Sequence, residues 1–159
     1  MCQRDRAVPN PGSASGLSDE LAGSYSRAVY RVDTVPSPVY LTVGHPSPEL
    51  DRWLASAGVT RFAFLSAANP GSVRLADDEN RRRHELLIAR LAAIGLPAVA
   101  GESYDPADGG WREASVLVAG IEQSAALAVA REFGQAALLC GTIGEAVELV
   151  PAAAPAGEI

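Results

Sequence analysis

The turn Asn69-Pro70-Gly71-Ser72, with Asn80 and Arg83 just beyond it, holds the residues whose types and spacing first suggest chemistry. At about 100° per residue, Asn80, Arg83, Leu87, Leu91 and Ile94 share one helical face. A stripe that buries three aliphatic side chains therefore also aims an amide and a guanidinium inward at its N-terminal end. The turn lies between an apolar run at 62–67 and that helix, and the loop after the C-terminal end of a central strand is where α/β sheets place ligands. Asn, Pro, Gly and Ser are also the ordinary turn formers, so the same four residues have a purely structural account.

Arg83 has two roles open to it. It can pair with Glu102 or Glu113 and tie the helix to a neighbouring strand, since an inward charge needs a partner. It can equally hold the carboxylate or phosphate of a ligand through its planar fork. A backbone phosphate site is disfavoured, because Asp77, Asp78 and Glu79 occupy the first helical turn and already complement the helix dipole. An anion would need Arg83 or Arg74. Arg81 and Arg82 fall on the opposite arc and read as a solvated face.

Glu102 and Glu113 are the acid/base candidates: each adjoins a strand end flanking one loop, and Trp111 is placed to desolvate either. Gln135, after a helix-ending Gly134, is a further ligand-binding candidate beside Asn69, Ser72, Asn80, Arg83 and Trp111. Asp105 and Asp108 belong to the loop. Two carboxylates lack a third metal ligand at a diagnostic spacing, so no metal site and no cofactor are assigned. His45 and His84 have no nucleophile motif beside them. His84, at the edge of the buried stripe, reads as partly exposed or satisfied. Cys140 reads as a small buried hydrophobe, and Gly141-Thr142-Ile143-Gly144 lacks the lysine of a phosphate loop.

The elements that must position these residues alternate. Ser18 caps a helix through Leu21, Tyr25 and Val29. Strands follow at 30–33 and 39–43, joined by a turn with two prolines. Ser47-Pro48-Glu49 opens a helix that Gly58 closes. A central strand at 62–67 leads through the turn to the helix over 77–94. A strand at 96–101, a Pro/Gly loop at 104–110 and a strand at 114–121 come next, then a helix at 122–133 and strands at 136–140 and 146–150. The expectation is an α/β fold: a single-domain sandwich with a mixed sheet of about six or seven strands and three to four helices, spanning residues 18–150. Residues 1–17 and 151–159 lack apolar surface to dock and read as disordered tails.

Composition narrows the function. The 159 residues are 48% hydrophobic and 20% charged, which fits one well-buried core. All 13 basic residues are Arg, a bias that suggests a GC-rich bacterial genome; with no Lys, Schiff-base and P-loop chemistry are excluded. A formal charge of -6 opposes nucleic-acid binding. Two cysteines make no disulfide framework, and neither a signal-peptide core nor a membrane-length apolar run is present. These features read as a cytoplasmic protein without a membrane partner; the oligomeric state is left open.

The strand leading to Asn69-Pro70-Gly71-Ser72, the run Glu79-Asn80-Arg81, Gly101-Glu102, Trp111 with Glu113 and Ser115, and Phe133-Gly134-Gln135 together resemble a family of uncharacterised bacterial proteins, domain of unknown function 3293. The resemblance spans about residues 30–150. Such proteins usually carry an aromatic residue where this chain has Ala68 and an Asn where it has Ala136. The resemblance implies a compact α/β domain and no particular activity.

Three classes of function fit these residues. The first is a small polar-ligand site, binding or catalytic, where the turn, Asn80, Arg83, Glu102, Glu113 and Gln135 converge. The second is a non-enzymatic interaction or regulatory module in which those residues lock the fold. The third is a metal-assisted nuclease or phosphoesterase using Glu102 and Glu113.

Overall fold

Serine caps start the first two helices. In the computed structural model, which describes residues 17–152, the Ser18 hydroxyl accepts from the Leu21 amide ahead of α1 (Asp19–Arg27). Ser47 accepts from Leu50 ahead of α2 (Pro48–Ser56), with Pro48 in the first turn, where its missing N–H costs nothing. The long helix α3 (Asp77–Ile94) has no side-chain cap; three acids in its first turn stand against the dipole, and Gly95 ends it in the left-handed region. The fourth helix is α4 (Gln123–Glu132).

The strands are β1 (Val29–Val32), β2 (Val39–Leu41), β3 (Arg61–Ser66), β4 (Ala98–Asp105), β5 (Asp108–Ala119), β6 (Ala137–Thr142) and β7 (Glu148–Pro151). They form one sheet in the order β2-β1-β4-β5-β3-β6-β7. Every ladder between these strands is antiparallel. The expected parallel component is a single bridge, Val43 with Val147, because the crossovers return chains to antiparallel neighbours.

Alternation divides the core in two. Ala63, Leu65, Val116, Val118 and Leu138 face one way, and Leu87 and Leu91 of α3 with Ala126, Val129 and Ala130 of α4 cover them. Phe62, Phe64, Leu117 and Leu139 face the other way, toward Tyr30, Val32, Leu50 and Leu54. Ile94 packs against the first core and is only partly buried. Gly101 is required by this second packing: a Cβ there would run into the Arg31 carbonyl and the Phe64 ring. Tyr30 then meets Phe64 edge-on, with ring centroids 5.8 Å apart.

Several boundaries differ from the sequence expectation: α1 stops at Arg27, so Val29, expected in that helix, opens β1, and two further differences bear on the site and the sheet edge. The loop expected over 104–110 is mostly strand: β4 runs to Asp105, β5 starts at Asp108, and a register shift at Tyr104/Asp105 precedes the turn. Polar residues on both faces hide the strand period there. At the other end, Pro151 belongs to β7, and Ala152 is buried with its carbonyl held by Arg131. The sheet thus extends past the boundary expected at 150. The remainder of both expected tails, residues 1–16 and 153–159, lies outside the described residues. Within the described residues, no helix is long and apolar enough to cross a membrane.

Candidate functional site

Past Ser66 the chain leaves β3 through two buried alanines and enters Asn69, which is buried and left-handed at φ 51°. Asn tolerates this conformation better than most residues because its short amide can bond locally. The Asn69 Oδ1 accepts from the Leu75 amide and from Asn80 Nδ2, both at 2.8 Å. Its own backbone N–H donates to Asn80 Oδ1 at 3.0 Å. The two amides thereby fasten the turn to the first part of α3. The remaining donor, Asn69 Nδ2, goes to Glu113 Oε2 at 2.9 Å.

Sheet register sets what surrounds Glu113. Tyr30 of β1 is opposite Ser103 of β4, which is opposite Glu113 of β5, so these three side chains form a row on one face. Next to that row, Ser66 of β3 is opposite Ser115. Helix α1 closes the face above, and Tyr25 accepts the Tyr30 hydroxyl on its carbonyl oxygen.

A cavity of about 270 Å³ opens here. Leu21, Ser24, Tyr25 and Ala28 of α1 form one wall, and Asn69 and Ser72 of the turn form another. The β4–β5 hairpin contributes Ser103, Tyr104, Asp105, Trp111 and Glu113, and the segment before β6 contributes Gln135 and Ala136. A recess of about 30 Å³ continues behind it past Ser66, Ser103 and Ser115, and shares Tyr25, Tyr30, Glu113 and Gln135 with the larger space.

The electrostatics follow from burial. Desolvation pushes the Glu113 carboxyl above its ordinary value, and the Asn69 hydrogen bond offsets only part of that. Desolvation and the nearby Glu113 charge push the Tyr25 phenol up to about 12 against a smaller opposing effect of its hydrogen bond with Ser72. The Tyr30 phenol is raised further, first by burial and then by Tyr25 and Glu113.

The expected site residues divide into those the structure gathers and those it does not. Asn69, Ser72, Trp111, Glu113 and Gln135 line the cavity. Gln135 is held by its Nε2, which donates to the Ala68 carbonyl at 2.9 Å. Gly134 fixes this segment against the turn: its carbonyl accepts from the Gly71 amide at 2.8 Å, and its φ of 69° suits glycine. Asn80 stands behind Asn69 and does not line the cavity.

Arg83 takes neither expected role. Its Nε donates to the Ala67 carbonyl at 2.6 Å and an Nη donates to the Phe133 carbonyl, with the guanidinium carbon 5.9 Å from the centre of the Phe133 ring. It staples the end of β3 to the end of α4 through backbone oxygens. It contacts neither carboxylate, because Glu113 is held by Asn69 and Glu102 pairs with Arg31 at 3.2 Å and Arg112 at 2.9 Å.

Glu102 is on the wrong side of the sheet. It is opposite Ala114, one position out of step with Glu113, so its side chain projects from the other face. There Arg112 also covers Tyr104 at 4.4 Å from the ring centre. A metal site built on Glu102 and Glu113 together is therefore excluded by parity. His84 is partly exposed, as expected, although its Nδ1 is buried without a hydrogen-bond partner among the described residues, and desolvation lowers its pKa. Cys140 is buried as expected, and its thiol is pushed up to about 12 by burial.

Tyr25, Tyr30, Ser103 and Asp105 are cavity residues the sequence reading missed. Tyr25 shares the apolar stripe of α1 with Leu21, which hides a polar task inside a packing signal. Ser103 becomes visible only through its register with Glu113.

Residues 65–138 match the model of a family described as "Protein of unknown function (DUF3293)", the family the sequence motifs resemble. The matched span contains Asn69, Ser72, Trp111, Glu113 and Gln135, and leaves outside it α1 and β1, which supply Tyr25 and Tyr30. No curated protein and no solved structure matches the chain.

Proposed function

For a chain with this DUF3293 segment at its centre, we propose that the protein binds a small polar ligand in the cavity between α1, the Asn69–Ser72 turn and the β4–β5 hairpin. The observation that carries it is Glu113: a carboxylate raised by burial, held through one oxygen by Asn69, in a cavity lined by aromatic and hydroxyl side chains. A hollow in which polar groups converge around a perturbed carboxylate is a common form of ligand site. The volume of about 270 Å³ suits a ligand of about one ring and a head group.

The interaction-module alternative required the inward polar residues to saturate one another. Asn80 is held by Asn69 and Arg83 by backbone carbonyls. Glu113, Ser72, Trp111 and Gln135 instead share an open cavity with the phenols of Tyr25 and Tyr30, which supports the ligand reading over the lock. Among the two carboxylates weighed for acid/base work, Glu113 is the one positioned to exchange a proton with such a ligand.

A thermal-shift screen with nucleosides, amino acids and amines tests the proposal, run beside Ser103→Phe, whose ring would fill the cavity. At least one compound should raise the Tm of the wild-type chain by a few degrees through mass action and fail to do so in the variant. A compound that stabilises both chains equally would place its site elsewhere.

A further inference from the structure

We infer that the ligand carries a positive charge, as an amine or amidinium borne on a small flat ring, with Glu113 as its counter-ion. This rests on the ligand-site reading above and adds the ligand's charge to it. Every ionisable side chain directed at the cavity becomes negative when it ionises: Glu113, Asp105 and the phenols of Tyr25 and Tyr30. Neither Arg nor His lines it among the described residues, and the chain has no Lys.

The guanidinium groups nearby are committed to other contacts. Arg83 serves the Ala67 and Phe133 carbonyls, Arg112 serves Glu102 and the Tyr104 ring, and Arg74 lies over Trp111 at 4.6 Å from the ring centre. An anionic ligand would thus enter a partly desolvated site without a cation to receive it and with Glu113 repelling it. A cation meets the reverse. It supplies the opposite charge that Asn69, a neutral amide, does not give Glu113, whose Oε1 has no donor among the described residues. The ring follows from the walls: Trp111 and Tyr25 offer flat apolar surface, and aromatic faces attract cations.

Acid should weaken such binding. The groups around Glu113 are Tyr25 from α1, Tyr30 from β1, Asn69 from the turn, and Asp105 and Ser103 from β4. Burial holds the Tyr25 and Tyr30 phenols protonated well past neutrality, so the acid-side change in binding follows Glu113, whose carboxyl burial raises.

The test is isothermal titration of the full chain with benzamidine, benzamide and benzoate, which share a ring and differ in head-group charge. Benzamidine should bind at least about tenfold more tightly than benzamide, with benzoate undetected at about 10 mM. The affinity for benzamidine should fall as pH is lowered through the Glu113 titration, and Glu113→Gln should remove its advantage over benzamide. Benzoate binding as tightly as benzamidine would overturn the inference, and so would an advantage that survives Glu113→Gln. Should the variant fail to fold, a pH-independent affinity in the wild-type chain overturns it equally. Binding of benzamide or benzoate in place of benzamidine retires the charge assignment while leaving the ligand site standing. Binding by none of the three retires the ring-borne cation, and the site itself falls only if the wider thermal-shift screen is empty too.

Discussion

The Asn69 side chain donates to Glu113 at 2.9 Å while accepting from Leu75 and Asn80, so one amide both closes the turn after β3 and holds the carboxylate of the cavity. Architecture and site meet in that residue. Asn69→Ala removes all three bonds and leaves a residue with a Cβ but no local hydrogen bonding at φ 51°. A loss of roughly 2 to 4 kcal/mol is expected from unpartnered buried groups and the left-handed backbone. Urea denaturation measures it, and a loss under about 1 kcal/mol would show that the turn does not depend on this amide.

Arg83→Met should cost about 2 to 4 kcal/mol, because it leaves the carbonyls of Ala67 and Phe133 without their donor. Neither Glu102→Gln nor Glu113→Gln should rescue it, since neither carboxylate touches the guanidinium. Double-mutant cycles by chemical denaturation check this. A coupling above about 1 kcal/mol with either Glu would restore the ion-pair account.

Glu113 sets a pH dependence whose sign is fixed. Its folded pKa is raised above the ordinary 4.5, so its contribution is fully present below that value and is lost as pH rises through the folded pKa. Glu113→Gln carries no such loss. The stability of the variant relative to wild type should therefore grow from acid toward neutral pH, in urea titrations at a series of pH values. A difference that is flat, or that shrinks as pH rises, would mean the carboxyl is not desolvated.

Leu87, fully buried between α3 and the sheet, tests the packing that orients the inward stripe. Leu87→Ala should cost roughly 2 to 5 kcal/mol. The exposed Leu86 should tolerate alanine within about 0.5 kcal/mol. Equal effects at the two positions would mean the stripe is misassigned.

Most elements were legible because their signals are local. The capping serines of α1 and α2, Gly95 after α3, and the Leu87/Leu91 period each act within a few residues of themselves. The turn at Asn69 and the burial of Trp111, Glu113 and Gln135 around one space could be approached from motif order along the chain. Register was not legible. Whether Glu102 or Glu113 shares a face with Tyr30 depends on a one-residue parity across three strands, which the polar β4–β5 hairpin gave no apolar alternation to reveal. The partners of Arg83 were out of reach for a related reason: backbone carbonyls carry no sequence signature.

The ligand site itself can be read through Trp111, since the chain has two tryptophans and the other, Trp53, lies on α2. In a Trp53→Phe variant, Trp111 emission reports on the cavity alone. Titrating any compound that stabilises the fold should change that emission saturably, with the same midpoint as the stabilisation, and the change should vanish when Ser103→Phe is added. Stabilisation without any change in Trp111 emission would contradict a ligand site in this cavity.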